Sequence, residues 1–178
     1  MSVTLIGARE GARLAAAPWP YDEVGCTALE LPDGYRHVRR SAELGEGRAV
    51  FDRAAADVLA WQVQSRSGIQ VRASSCTAEV GVVVELAIGY RRLSVVAPCR
   101  VVYVVEEEHR SGFAYGTLAG HPERGEESFV VSFEPATDRV RLQVTAFSRP
   151  ATLLTRLGGP VAHAAQDLMT RRYLRALG

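Results

Sequence analysis

Polar and apolar positions alternate with period two through most of this chain. They shift to helical spacing in three stretches, and that contrast predicts its elements. Residues Ala8 to Ala16 predict a short helix, after which Pro18 and Pro20 force an extended connector. Leu31-Pro32-Asp33-Gly34 is turn chemistry. From His37 to Leu44, Val38, Ala42 and Leu44 share the apolar side of a strand that Gly45-Glu46-Gly47 ends. One helix is then predicted from about Arg48 to Gln64. Its stripe is Phe51, Ala54, Ala55, Val58, Leu59 and Trp61, and Ser67-Gly68 closes it. Six more strands follow, from Ile69 to Ala73, Val80 to Ile88, Cys99 to Glu106, Gly112 to Leu118, Glu126 to Phe133 and Arg139 to Phe147. Breakers are expected at Gly89, Ala97-Pro98, Gly112, the Gly120-to-Gly125 turn and Pro135 with Asp138. Gly158-Gly159-Pro160 launches a last helix that runs to about Leu177. Consecutive short strands and segregated helices make an α+β fold: a curved antiparallel sheet of six to seven strands with the long C-terminal helix laid across one face. The whole chain, 1–178, reads as one domain.

At 100° per residue, Val161, Ala165, Leu168, Met169 and Ala176 share one face of the last helix, while His163, Asp167, Thr170 and Arg171 fall on the others. Arg172 lies on the apolar face, where a charge needs a partner. Period two supplies one: Glu127 shares its strand face with Phe129, Val131 and Phe133, so it points inward. A polar site shared by Glu127 and Arg172, between sheet and helix, is one expectation; the other is that Arg172 reaches water near the chain end while its stem packs.

Composition narrows the function classes. Hydrophobic residues make up 47% and charged residues 23%, an ordinary globular balance able to build a core without disulfides or metal. The net charge is +1, and the basic residues are all Arg, in scattered pairs, so no nucleic-acid partner and no anionic-membrane attraction are predicted. The most apolar run, Val80 to Ile88, is interrupted by Glu85 and too short to span a bilayer, which predicts no integral membrane segment. Cys26, Cys76 and Cys99 are odd in number and lack C-x-x-C spacing. That argues for free thiols, a cytoplasmic location and no metal site.

Chemical motifs are sparse, and none implies a cofactor. Gly45-Glu46-Gly47 lacks the third glycine of a dinucleotide loop, because position 50 is Val50. No G-x-S-x-G elbow occurs. His121-Pro122-Glu123-Arg124-Gly125-Glu126-Glu127 gathers an imidazole and three carboxylates, but reads as a solvated hairpin; adjacent Glu126 and Glu127 point to opposite faces and form no dyad. Tyr115 and Thr117 share a strand face with Phe113 and would put hydroxyls into an apolar wall.

The block Gly112-Phe113-Ala114-Tyr115-Gly116-Thr117-Leu118, with Gly120-His121-Pro122-Glu123, Gly125-Glu126-Glu127 and Phe129, resembles the signature of uncharacterised protein family 0548. Supporting matches run from Tyr21 to Arg171-Arg172-Tyr173. The resemblance implies a bacterial or plant-type soluble domain and carries over no activity. The element order is also similar to the helix-grip fold of the Bet v 1, polyketide cyclase and START-like superfamily, which implies a cavity between sheet and helix and apolar ligands. Fold alone does not fix function.

The leading expectation is a protein that binds a small apolar or amphipathic molecule, with Trp61, Tyr115, Thr117, Glu127, Gln166 and Arg172 as ligand-binding residues. The alternatives are a cyclase-, hydrolase- or isomerase-type enzyme using Glu127 or His121 as general base, and an interaction protein with a filled core.

Overall fold

The computed structural model describes residues 3–90, 93–151 and 159–178. Its elements in chain order are β1 (Thr4–Leu5), α1 (Ala8–Ala15), β2 (Arg36–Glu46), α2 (Arg48–Leu59), α3 (Gln62–Arg66), β3 (Gln70–Ala73), β4 (Val83–Tyr90), β5 (Leu93–Glu107), β6 (Arg110–Thr117), β7 (Glu123–Glu134), β8 (Arg139–Pro150) and α4 (Gly159–Leu174). They form one sheet in the order β1-β3-β4-β5-β6-β7-β8-β2. The strand count is therefore eight rather than six to seven. The extra strand is β1, a two-residue edge that pairs parallel to β3, while every other pairing is antiparallel.

Several expected boundaries are displaced: Gly112, expected to break the chain, lies inside β6 and pairs with Val105. Ala97-Pro98 does not break the chain but lies inside β5. Only residues from Cys99 onward pair with β6, so Pro98 sits just past that ladder. Its carbonyl accepts the Leu118 N–H at 2.9 Å, and its missing N–H, on the same side, costs only the reciprocal bond at the ladder's end. Gly89 likewise stays within β4. The predicted Arg48-to-Gln64 helix is two helices, because Trp61 adopts φ +62° between α2 and α3 and drops its indole into the core.

Cover of the concave face is shared. α2 lies over β6 and β7, with Phe51, Ala54 and Val58 buried and the Phe51 ring 6.1 Å from Phe133; α4 lies over β8 and β2 and against α3. A run of aromatic contacts joins the layers: Trp61 to Phe113 at 5.0 Å, Phe113 to Phe129 at 5.8 Å and Phe129 to Tyr173 at 5.1 Å. Tyr173 and Thr170 are buried, Met169 is partly buried, and Arg172 and Leu168 are exposed. The helix thus turns its 166/169/170/173 stripe inward, roughly 100° from the stripe expected. The side chains of Val161, His163 and Ala165 lie outside the described set.

The convex face is covered too, by the N-terminal segment. Ile6, Leu14, Val83 and Leu118 form a second cluster there, Arg100 stacks 3.9 Å over Trp19, and Tyr21 and Tyr35 pack on Phe147. With both faces occupied, β6 is buried along nearly its full length.

Candidate functional site

Between the sheet and α4 lies a pocket of about 530 Å³, partly open to solvent and lined chiefly by apolar surface. Its apolar walls are Leu86 and Ile88 of β4, Val95 and Ala97 of β5, Ala146 of β8, and Leu168, Met169 and Tyr173 of α4. Its polar residues are Tyr115 and Thr117 of β6, His121, Glu123, Glu126 and Glu127 at and after the β6–β7 turn, Ser148 of β8, and Gln166 and Arg172 of α4. Leu168 (52% exposed), Val95 and Ile88 form its accessible rim.

Strand register builds the polar floor. Tyr115 and Glu127 are direct cross-strand partners, and Glu127 faces Ala146 on its other side. The Tyr115 hydroxyl donates to Glu127 Oε2 at 2.8 Å, while the small Ala146 leaves the space beside the carboxylate unfilled. Burial raises the Glu127 carboxyl to about 7, partly offset by the Tyr115 bond and reinforced by nearby Glu123. Burial and the Glu127 charge together push Tyr115 and Tyr173 well above the ordinary phenol range, so both stay protonated donors. His121 Nδ1 lies 2.9 Å from both the Glu123 N–H and its carbonyl, and burial lowers its pKa to about 4, so the ring is neutral near pH 7. The Thr117 hydroxyl accepts the Gly125 N–H at 3.1 Å.

Glu126, one residue earlier, points to the convex face. It is 2% exposed and accepts from the Gly25 N–H at 2.7 Å, the Thr27 N–H at 3.0 Å, the Thr27 hydroxyl and the Tyr21 hydroxyl at 3.5 Å. Its cross-strand neighbour Gly116 makes this possible, since a Cβ there would collide with the Tyr21 hydroxyl and come within 2.8 Å of Trp19. The segment from His121 to Glu127 is therefore no solvated hairpin: the Glu126 carboxylate is sealed under the N-terminal loop, while Glu123 and Glu127 border the pocket. Among the described residues, no cluster of three or more His, Cys, Asp or Glu is arranged to hold a metal ion, and no helix is long and apolar enough to cross a membrane.

The model of a domain of unknown function, DUF1990, matches residues 20–176. The chain belongs to the DUF1990 family. Similar to this DUF1990 chain is a UPF0548 protein of Deinococcus radiodurans, 35% identical over 156 residues that cover 82% of this chain and 78% of the relative. A UPF0548 protein of Arabidopsis thaliana is 34% identical over 90 residues, 47% of this chain and 43% of the relative. The resemblance carried by the Gly112-to-Phe129 block is thus borne out. Among solved structures, a hypothetical protein from Helicobacter pylori superposes with TM-score 0.61 at 10% identity, covering 91% of this chain and 94% of the other. The Zhui aromatase/cyclase of Streptomyces gives 0.56 at 19% identity, covering 80% and 91%, and ginseng major latex-like protein 151 gives 0.52 at 13%, covering 79% and 96%. The DUF1990 chain has the helix-grip fold of the Bet v 1 and cyclase type.

Of the six residues expected to contact a ligand, five border the DUF1990 pocket. Tyr115, Thr117 and Glu127 meet on the sheet side, and Gln166 and Arg172 reach it from α4. Both ends of the Gln166 amide are already engaged, its nitrogen donating to Ser148 Oγ at 3.1 Å and its oxygen accepting from Arg36. Trp61 is no pocket wall: it is fully buried against Phe113, and its indole N–H donates to the Ser75 carbonyl at 3.2 Å. Arg172 is exposed at the mouth and, among the described residues, makes no ion pair with Glu127, whose partner is Tyr115. The expected Glu127–Arg172 pair fails because the helix is rotated and a long Arg stem carries its charge to water. Sequence reasoning missed Tyr173; its spacing of seven from Gln166 was the available signal.

Proposed function

We propose that this chain is a one-domain binding protein for a small apolar or amphipathic molecule, seated between the concave face of the sheet and α4. The observation that carries this reading is the pocket of about 530 Å³, apolar along most of its wall, with a Tyr115–Glu127 pair on its floor. That size and composition suit a ligand of a few tens of heavy atoms. Each methylene buried there would contribute about 0.8 kcal/mol before the cost of association. Free Cys26, Cys76 and Cys99 support a reducing, cytoplasmic setting.

Native mass spectrometry of the protein purified from its own cells tests the reading. The expected result is an added mass of a few hundred daltons that denaturation releases. Bare protein mass, together with no uptake of the neutral apolar dye Nile red, would overturn it.

One observation favours a second reading, an enzyme of cyclase, hydrolase or isomerase type. A carboxyl with a pKa of about 7 in a pocket is poised to take a proton from a bound substrate. His121 is a weaker base for this role, since its pKa is lowered to about 4. On this reading Glu127→Gln abolishes turnover and leaves apolar binding intact; turnover unchanged by that substitution excludes it.

A further inference from the structure

We infer that the guest of this pocket carries a positively charged amine on an apolar body, and that the Glu127 carboxylate is its counter-ion. The inference rests on the pocket being a ligand site.

The groups that bear electrostatically on Glu127 come from the elements packed around it: Cys99 of β5, Tyr115 of β6, Glu123 of β7 and Tyr173 of α4. All four are acids. His121 at the rim is a neutral imidazole near pH 7. Arg172 is a cation at the mouth, but it is exposed to water and makes no ion pair with Glu127 among the described residues. Among the described residues, the floor of the pocket therefore sets no positive charge against the Glu127 carboxylate.

A carboxylate withdrawn from water needs a cation or a proton to be stable. Its four lone-pair positions receive a single donor among the described residues, the Tyr115 hydroxyl. A primary ammonium supplies both what is missing, three donors and a charge, and forms charge-assisted bonds. Leu86, Ala97, Ala146 and Met169, which line the same pocket, would hold an alkyl or ring body, not a second head group. An acidic head group would meet Glu127 and Glu123 together and be repelled.

Three probes with one ten-carbon chain separate the head groups: decylamine, decanol and decanoate, each displacing Nile red below its micelle concentration. At pH 8, decylamine is expected to displace the dye at a concentration about tenfold lower than decanol, with decanoate weakest. An alkylammonium keeps its proton throughout this range, whereas Glu127 gains one below about 7, so at pH 5.5 the amine advantage should fall below about threefold. Glu127→Gln should erase the advantage of decylamine over decanol at pH 8; if that variant folds poorly, the wild-type pH series decides alone. Decanoate binding as tightly as decylamine at pH 8, or an amine advantage that survives Glu127→Gln, overturns the inference. Equal binding of decanol and decylamine sinks the head-group assignment and leaves the pocket reading standing. Displacement by none of the three sinks both.

Discussion

Glu126 and Glu127 are consecutive on β7, and the pleat sends their carboxylates to opposite sides of the sheet. On the convex side, Glu126 is surrounded by donors from Tyr21, Gly25 and Thr27, all about a hundred residues earlier in the chain. On the concave side, Glu127 has one donor among the described residues, a small neighbour in Ala146 and a pocket in front of it. The same side chain thus serves as a rivet where backbone N–H groups saturate it and as an open acceptor where they do not. That contrast separates a carboxylate that holds the fold from one available to a guest.

The largest expected effect comes from removing the rivet. Glu126→Ala leaves the Gly25 and Thr27 N–H groups and the Tyr21 hydroxyl without their acceptor, while the Thr27 hydroxyl keeps Tyr103, and should lower stability by about 3–5 kcal/mol in urea denaturation. A loss under about 1 kcal/mol would erase the distinction between the two glutamates. Next is Gly116→Ala, whose methyl meets Tyr21 and Trp19 on the convex face. It should cost about 1–3 kcal/mol and speed hydrogen exchange over residues 21–28, leaving the pocket side unchanged.

Glu127→Gln should act in the opposite direction. Burial raises the Glu127 carboxyl from 4.5 to about 7, so the folded state binds the extra proton between those values. The stability this residue contributes is full below about 4.5 and is lost as pH rises through 7. Replacing it with the neutral isostere should therefore change little at pH 4 and stabilise by about 1–3 kcal/mol at pH 8, read from denaturation curves at the two pH values. Equal effects at both would show that the carboxylate is not withdrawn from water.

The concave half of this comparison was legible in the sequence. Phe129, Val131 and Phe133 define the inward face of β7, and period two carries Glu127 onto it. Tyr115 and Thr117 follow from the same rule on β6. The convex half was not, because the cradle around Glu126 depends on contacts across about a hundred residues and on a loop without periodicity. The pairing of Thr4–Leu5 was too short to leave a pattern. The run from Ala97 to Pro98 looked like a break because the harm done by proline's missing donor depends on where along a ladder it falls, and that is a property of topology. The orientation of α4 was misjudged because alanines and an Arg with a long apolar stem blur its stripe, leaving the bulk of Tyr173 to decide which side turns inward.

The central claim, that Glu127 stands on the floor of a ligand pocket, is tested most directly by following its side-chain carboxyl carbon by NMR across pH. The account predicts a midpoint near 7 that falls when decylamine is added. A midpoint close to 4.5, like that of an exposed glutamate, and no response to the amine would contradict it.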